Sequence, residues 1–117
     1  MKKKEPIDIR TLRYVLYARK SSVDESSQYR SIPDQIKECK KFATKIEIKI
    51  VAVKTEKQSA KIAGKRPVFR SILDDMGKKY DGILCWHPDR LSRNMLEGGQ
   101  IIDMVDNDNI KDLQFVS

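Results

Sequence analysis

Two short segments hold residue types able to work on a phosphate. In Tyr17-Ala18-Arg19-Lys20-Ser21-Ser22 an arginine and a serine stand two apart. In extended chain such residues face the same way, so Arg19 and Ser21 project together and Ser22 faces elsewhere. A guanidinium grips phosphate oxygens through two donors and offsets the charge that grows on them during attack. A serine held beside it is a candidate nucleophile. A plain polar loop after a strand is the competing reading. The second segment is Asp89-Arg90-Leu91-Ser92-Arg93. Asp89 stands where a helix N-cap belongs, and Arg90 and Arg93, three apart, share a helix face. Two arginines at a positive helix end make a phosphate site. A capped helix with surface arginines is the alternative. Arg66, just ahead of Pro67, adds a third source of arginine, and Gln35 stands near a helix start where it can face the same site.

The same inventory excludes other chemistries. The chain has one histidine, His87, so a Ser-His-Asp triad has a single possible base. No Asp/Glu/His pairing suggests a two-metal centre. Cys39 and Cys85 lie far apart without metal-ligand spacing and fall on apolar faces, where thiols serve as core. No cofactor is expected, and no small-molecule substrate.

Three strand-to-helix connections must position these groups. Arg13 to Ala18 is β-branched and aromatic and reads as a buried strand. Residues 19–31 form a Ser-rich loop. Ser31-Ile32-Pro33-Asp34 starts a helix over 32–46, with Ile32, Ile36, Cys39, Ala43 and Ile46 at helical spacing. Residues 48–53 read as a second strand and 55–66 as a loop. Pro67 opens a second helix with Val68, Phe69, Ile72, Leu73 and Met76 on its apolar face and Gly77 near its end. Asp81-Gly82 is a turn signal, 83–86 a third strand ending in a core Trp86, and 87–94 a connection to a last helix. That helix has apolar Leu96, Ile101, Ile102 and Val105 and is weakened by Gly98-Gly99. Leu113, Phe115 and Val116 make a fourth strand. Alternating strands and helices predict an α/β fold, three layers (α/β/α) around a mostly parallel sheet. Ligands of such sheets bind beyond the carboxyl ends of the strands, which singles out 19–31, 55–66 and 87–94.

The chain is 117 residues, the size of one domain: a basic leader over 1–12, read as loose, and a folded unit over 13–117. It is 39% hydrophobic and 35% charged, without an apolar run of membrane length or a secretory signal, so a reduced, cytoplasmic setting is expected. Net charge is +7, but residues 1–70 carry +11 and the remainder −4. A basic half suits a polyanion such as nucleic acid; a lysine-rich solvated surface is the other reading.

Taken together, YARKSS at 17–22, SIPDQ at 31–35, SA at 59–60, RP at 66–67 and DRLSRN at 89–94 resemble, in order and spacing, the catalytic domain of serine recombinases: resolvases, invertases and large serine integrases. The long polar stretch between Ser21 and Gln35 is more like the large integrases. The resemblance implies a resolvase-like fold and site-specific DNA recombination through a 5′-phosphoserine intermediate. It makes Ser21 the nucleophile, Arg19, Arg66, Arg90 and Arg93 the charge-stabilising arginines, and Asp89 and Gln35 supporting residues. It also implies double-stranded DNA as substrate, and a homodimer that pairs into a synaptic homotetramer in the full-length protein. Two departures stand out: Ser59-Ala60 where Ser-Gly is common, and Glu56 where Asp is common. The family's domain continues into a long dimer helix and DNA-binding domains, so this chain reads as an excised domain, nearly inactive alone. A non-catalytic DNA-binding or regulatory module on the same fold is the alternative. A flavodoxin-like nucleotide binder lacks the expected glycine-rich loop.

Overall fold

The computed structural model describes residues 6–20, 31–56, 66–92 and 95–117. Strand β1 (Arg13–Arg19) is the axis of the fold, and Tyr14 to Arg19 are all buried. Buried on both faces, it is a continuous apolar run, as a central parallel strand requires. β2 (Lys49–Glu56) pairs on one side of it and β3 (Gly82–Cys85) on the other, with β4 (Asp112–Phe115) beyond β3. All pairings are parallel, in the order β2-β1-β3-β4. Because β2 and β3 leave β1 in opposite directions, their crossovers fall on opposite faces and leave a crevice at the carboxyl ends of β1 and β3.

Helix α1 (Ile32–Ile46) covers one face, packing Cys39 and Ala43 against Tyr14, Leu16, Ala18 and Leu84. Its bounds are those the spacing predicts. The Ser31 hydroxyl accepts from the Asp34 amide (3.3 Å) as N-cap, and Glu47 closes the helix in the left-handed region. Helix α2 (Pro67–Asp75) and α4 (Met95–Asp106) cover the other face, where Phe69, Ile72, Leu73 and Ile101 meet Val15, Tyr17, Ile83 and Cys85. The result is the expected three-layer α/β/α architecture with a wholly parallel sheet.

Several expectations are corrected. Residues 9–11 of the leader form a 3-10 turn capped by Asp8, and Leu12 is buried. β2 extends to Glu56, so only 57–65 of the second connection lie outside the described residues. Gly82 is the first residue of β3, not a turn. A Cβ there would stand 2.6 Å from the buried Tyr14 ring, so glycine is required by close approach. Gly77, at φ +82°, follows the end of α2 in the left-handed region. Trp86 stands just past β3 and is only half-buried.

The last connection departs most from expectation. Residues 88–91 form a separate one-turn helix α3 (Pro88–Leu91), and His87, not Asp89, is its N-cap: Nδ1 accepts from the Asp89 amide (3.0 Å). Ser92 is extended and ends the helix at Leu91; Arg93, expected to share a helix face with Arg90, lies outside the described residues. Of the apolar residues of α4, Ile101 is buried while Leu96 and Ile102 are exposed. A helix with apolar residues on both sides defeats a one-face reading of its period.

Candidate functional site

Three buried arginines converge at the crevice. Arg19, the last residue of β1, is 3% exposed. Its Nε donates to the Arg90 carbonyl (3.2 Å), and its Nη2 donates to the Asp89 carbonyl. Arg66, the residue before α2, is 4% exposed and donates from Nη2 to the Leu91 carbonyl (2.9 Å). The last turn of a helix leaves carbonyls without intrahelical donors. Here two guanidiniums from other elements supply donors to those of α3, and so lock α3, and with it Arg90, to the ends of β1 and α2. Arg90, 2% exposed, sits with its guanidinium carbon 5.6 Å from the Trp86 ring centroid, a cation–π distance.

Gln35 fixes the same point from the opposite face. Fully buried on α1, it donates from Nε2 to the Arg19 carbonyl (2.9 Å) and accepts from the Arg19 amide at Oε1 (3.3 Å). Its amide thus holds the backbone of Arg19 as a neighbouring strand would. Strand geometry persists to Lys20, whose amide donates to the Glu56 carbonyl (3.2 Å). Ser21 is the next residue in the chain and lies outside the described residues.

Sequence reasoning did not assign roles to Tyr17, Glu56 and Glu97. Glu56 ends β2, paired in register with Arg19, and is 3% exposed. Its carboxylate accepts from the Tyr17 hydroxyl (3.0 Å) and from the amides of Val68 (3.2 Å) and Phe69 (3.0 Å). Those amides are the ones an N-cap side chain would serve, and Arg66, at the cap position of α2, makes no such bond. Glu56 therefore caps α2 from a neighbouring strand and leaves position 66 free to be arginine. The Arg66 guanidinium stacks 4.0 Å from the Phe69 ring centroid and lies 3.5 Å from the Tyr17 hydroxyl. Burial, reinforced by the Glu56 carboxylate against the pull of Arg66, pushes the Tyr17 phenol far above its ordinary range. Tyr17 is thus a neutral donor. An acid that closes a strand opposite an arginine was the available signal for Glu56. Glu97, on α4, bonds Arg66 Nη2 at 3.0 Å and had no local signal, because helix packing alone brings the pair together.

Among the described residues the Asp89 carboxylate bonds none of the arginines. It is largely exposed, 3.6 Å from His87 Nδ1, and it is the Asp89 carbonyl that engages Arg19. Burial holds both thiols in the neutral form, Cys39 pushed up to about 12 and Cys85 also raised, so neither is a nucleophile near neutral pH. Among the described residues no group of three or more His, Cys, Asp or Glu is placed to hold a metal ion. No helix among them is long and apolar enough to cross a membrane. The arrangement brings cationic donors, held by the α3 carbonyls and at Arg66 also by the Glu97 carboxylate, to the end of the strand that leads into Ser21. Such a cluster suits an anion.

Comparison with known proteins places the fold. No curated protein matches the chain. Among solved structures, the N-terminal catalytic domain of TP901-1 integrase superposes with TM-score 0.73 at 23% identity, over 89% of this chain and 76% of that one. The C-terminal catalytic domain of ISC1926 TnpA, an IS607-like serine recombinase, gives 0.68 at 25% identity, over 90% and 67%. That of IS1535 TnpA, also IS607-like, gives 0.64 at 29%, over 87% and 69%. The family described as Resolvase, N terminal domain, matches residues 14–116, from the second residue of β1 to the residue after β4. On that match the chain belongs to the resolvase N-terminal domain family, the catalytic domain of serine recombinases.

Proposed function

We propose that this domain breaks and rejoins double-stranded DNA in site-specific recombination, with Ser21 as nucleophile. The observation that carries the reading is the convergence of Arg19, Arg66 and Arg90 at the end of the strand that runs into Ser21. Ser21 Oγ attacks a DNA phosphorus, the bond from phosphorus to the 3′-oxygen breaks, and that oxygen leaves with a proton as a 3′-hydroxyl. The product is a 5′-phosphoserine ester. A 3′-hydroxyl then attacks that phosphorus, and the serine leaves with its proton restored. Two ester exchanges of like energy need no nucleotide hydrolysis.

The arginines supply the charge stabilisation. Arg19, Arg66 and Arg90, with Arg93 outside the described residues, offset negative charge on the five-coordinate phosphorus. Guanidiniums stay protonated and cannot take the serine proton; Asp89, the exposed carboxylate on α3, is the candidate acceptor. Gln35 keeps the end of β1 in place. The active form is a dimer that pairs into a tetramer within a longer recombinase of the large integrase type, and the isolated domain is nearly inactive.

The test is a suicide substrate, nicked near the cleavage site, incubated with the full-length recombinase. Wild type should form a covalent protein–DNA adduct and S21A none, with DNA binding retained. An adduct of normal yield from S21A would remove Ser21 from the mechanism. DNA binding with no adduct from wild type would favour a non-catalytic module.

A further inference from the structure

Arg66, the N-cap of α2, and Arg70, whose amide donates to the Arg66 carbonyl (3.0 Å) one turn on, line one small cavity together with Phe69, Leu73, Glu97 and Gln100. The cavity has about 30 Å³ of free volume, room for a single water and not for a phosphate. Glu97 fills the rest. Its carboxylate bonds Arg66 Nη2, and its side chain is 20% exposed against 3% for Arg66, so water reaches the pair from the Glu97 side. Among the described residues Arg66 Nε is buried without an acceptor, a donor in reserve. Carboxylate and phosphate engage a guanidinium through the same paired oxygen geometry.

We propose that Glu97 is an internal anion that occupies a phosphate site formed by Arg66 and Arg70, and that a DNA phosphate oxygen enters only when Glu97 leaves. The proposal rests on the reading of this domain as one that acts on DNA, and adds a closed state to it. Ile101, with Met104 and Val105 packed beside it, anchors α4 to the core, and all three lie C-terminal to Glu97, so the first turn can carry Glu97 away while those anchors stay. Its outer side exposes Met95, Leu96 and Ile102. A contact that draws α4 outward there would also withdraw Glu97 from Arg66. The Glu97 pair keeps Arg66 compensated while no DNA is present, since a buried cation without a partner is costly.

If the closed state holds about nine-tenths of the molecules, it weakens apparent phosphate affinity about tenfold. The test uses the 117-residue chain, inorganic phosphate as probe, and the Arg66 side-chain Nε–H NMR signal as readout. E97Q should bind phosphate about tenfold more tightly than wild type, with E97D in between because its carboxylate falls short of Arg66. The double variant R66Q/E97Q, followed by calorimetry, should lose the gain. Unchanged affinity in folded E97Q, or a gain that persists in R66Q/E97Q, would overturn the proposal. Should E97Q fail to fold, E97D decides by the same criterion. The phosphate titration involves neither DNA nor strand cleavage. Normal DNA cleavage by S21A would therefore sink the recombinase mechanism while leaving the Glu97 result standing.

Discussion

The two ends of the sheet handle charge in opposite ways. At the amino end Arg13 forks onto Asp81 through two bonds of 3.0 Å, Asp81 also accepts from the Arg13 amide, and Tyr14 donates to Asp112. At the carboxyl end Arg19 and Arg66 donate to the carbonyls of Asp89, Arg90 and Leu91. A carboxylate fixes an arginine and cancels its charge; a carbonyl fixes it and leaves the charge in place. The amino end is built for stability, and the carboxyl end keeps its field for an anion. Glu97 on Arg66 is a reversible exception within the carboxyl end.

The sharpest way to break this contrast is Arg19→Lys. Lysine keeps the charge but cannot fork onto two carbonyls. Cleavage of the suicide substrate by the full-length protein should fall about 10²–10³-fold, with a much smaller loss of stability. A drop below tenfold would mean that the α3 carbonyls do not need that fork. Gly82→Ala, at the amino end, forces a methyl into the buried Tyr14 ring and should cost about 1–3 kcal/mol in denaturant unfolding. Arg66 phosphate binding should be unmoved. A neutral result would show that Tyr14 has room that the packing denies.

Asp81→Asn should cost about 1–2 kcal/mol near neutral pH, at the low end because Arg13 is partly exposed. The Arg13 guanidinium, against the opposing pull of burial, holds the Asp81 carboxyl below its ordinary range. A depressed carboxyl contributes stability above its unfolded pKa of about 3.9 and loses it as pH falls through the folded value. Wild type should therefore lose this contribution between about pH 5 and the folded value, and D81N should lack that part of its acid profile. Matching acid profiles would remove Asp81 as a source of pH-dependent stability. The smallest effect is Gly99→Ala, where a Cβ meets nothing within 4 Å. Thermal unfolding should show a gain of up to about 1 kcal/mol in helix stability. A loss instead would mean that α4 needs that glycine.

Local rules made much of this legible. A β-branched aromatic run fixed β1, and Ser31, Pro33 and period-3.6 apolar residues fixed α1 to its observed bounds. Alternation of strands and helices fixed the layers. Arg19, Arg66, Arg90 and Gln35 were all named from the sequence, and all meet at one crevice. The errors have a common source. Asp89 scores as an N-cap by type, yet His87 caps because the backbone turns one residue before Pro88. Leu96 and Ile102 are apolar by type, yet both are exposed, and of α4 only Ile101 is fully buried.

Side-chain type and spacing alone determined the fold class, the order of elements and the set of arginines, since these follow from steric preference and burial of apolar faces over short chain distances. Tertiary packing alone decided what the arginines do. It placed the α3 carbonyls against Arg19 and Arg66, set Glu56 to cap a helix from another strand, and laid Glu97 on Arg66. Each of those contacts joins residues distant in the chain, where electrostatic partners are selected by position and not by type.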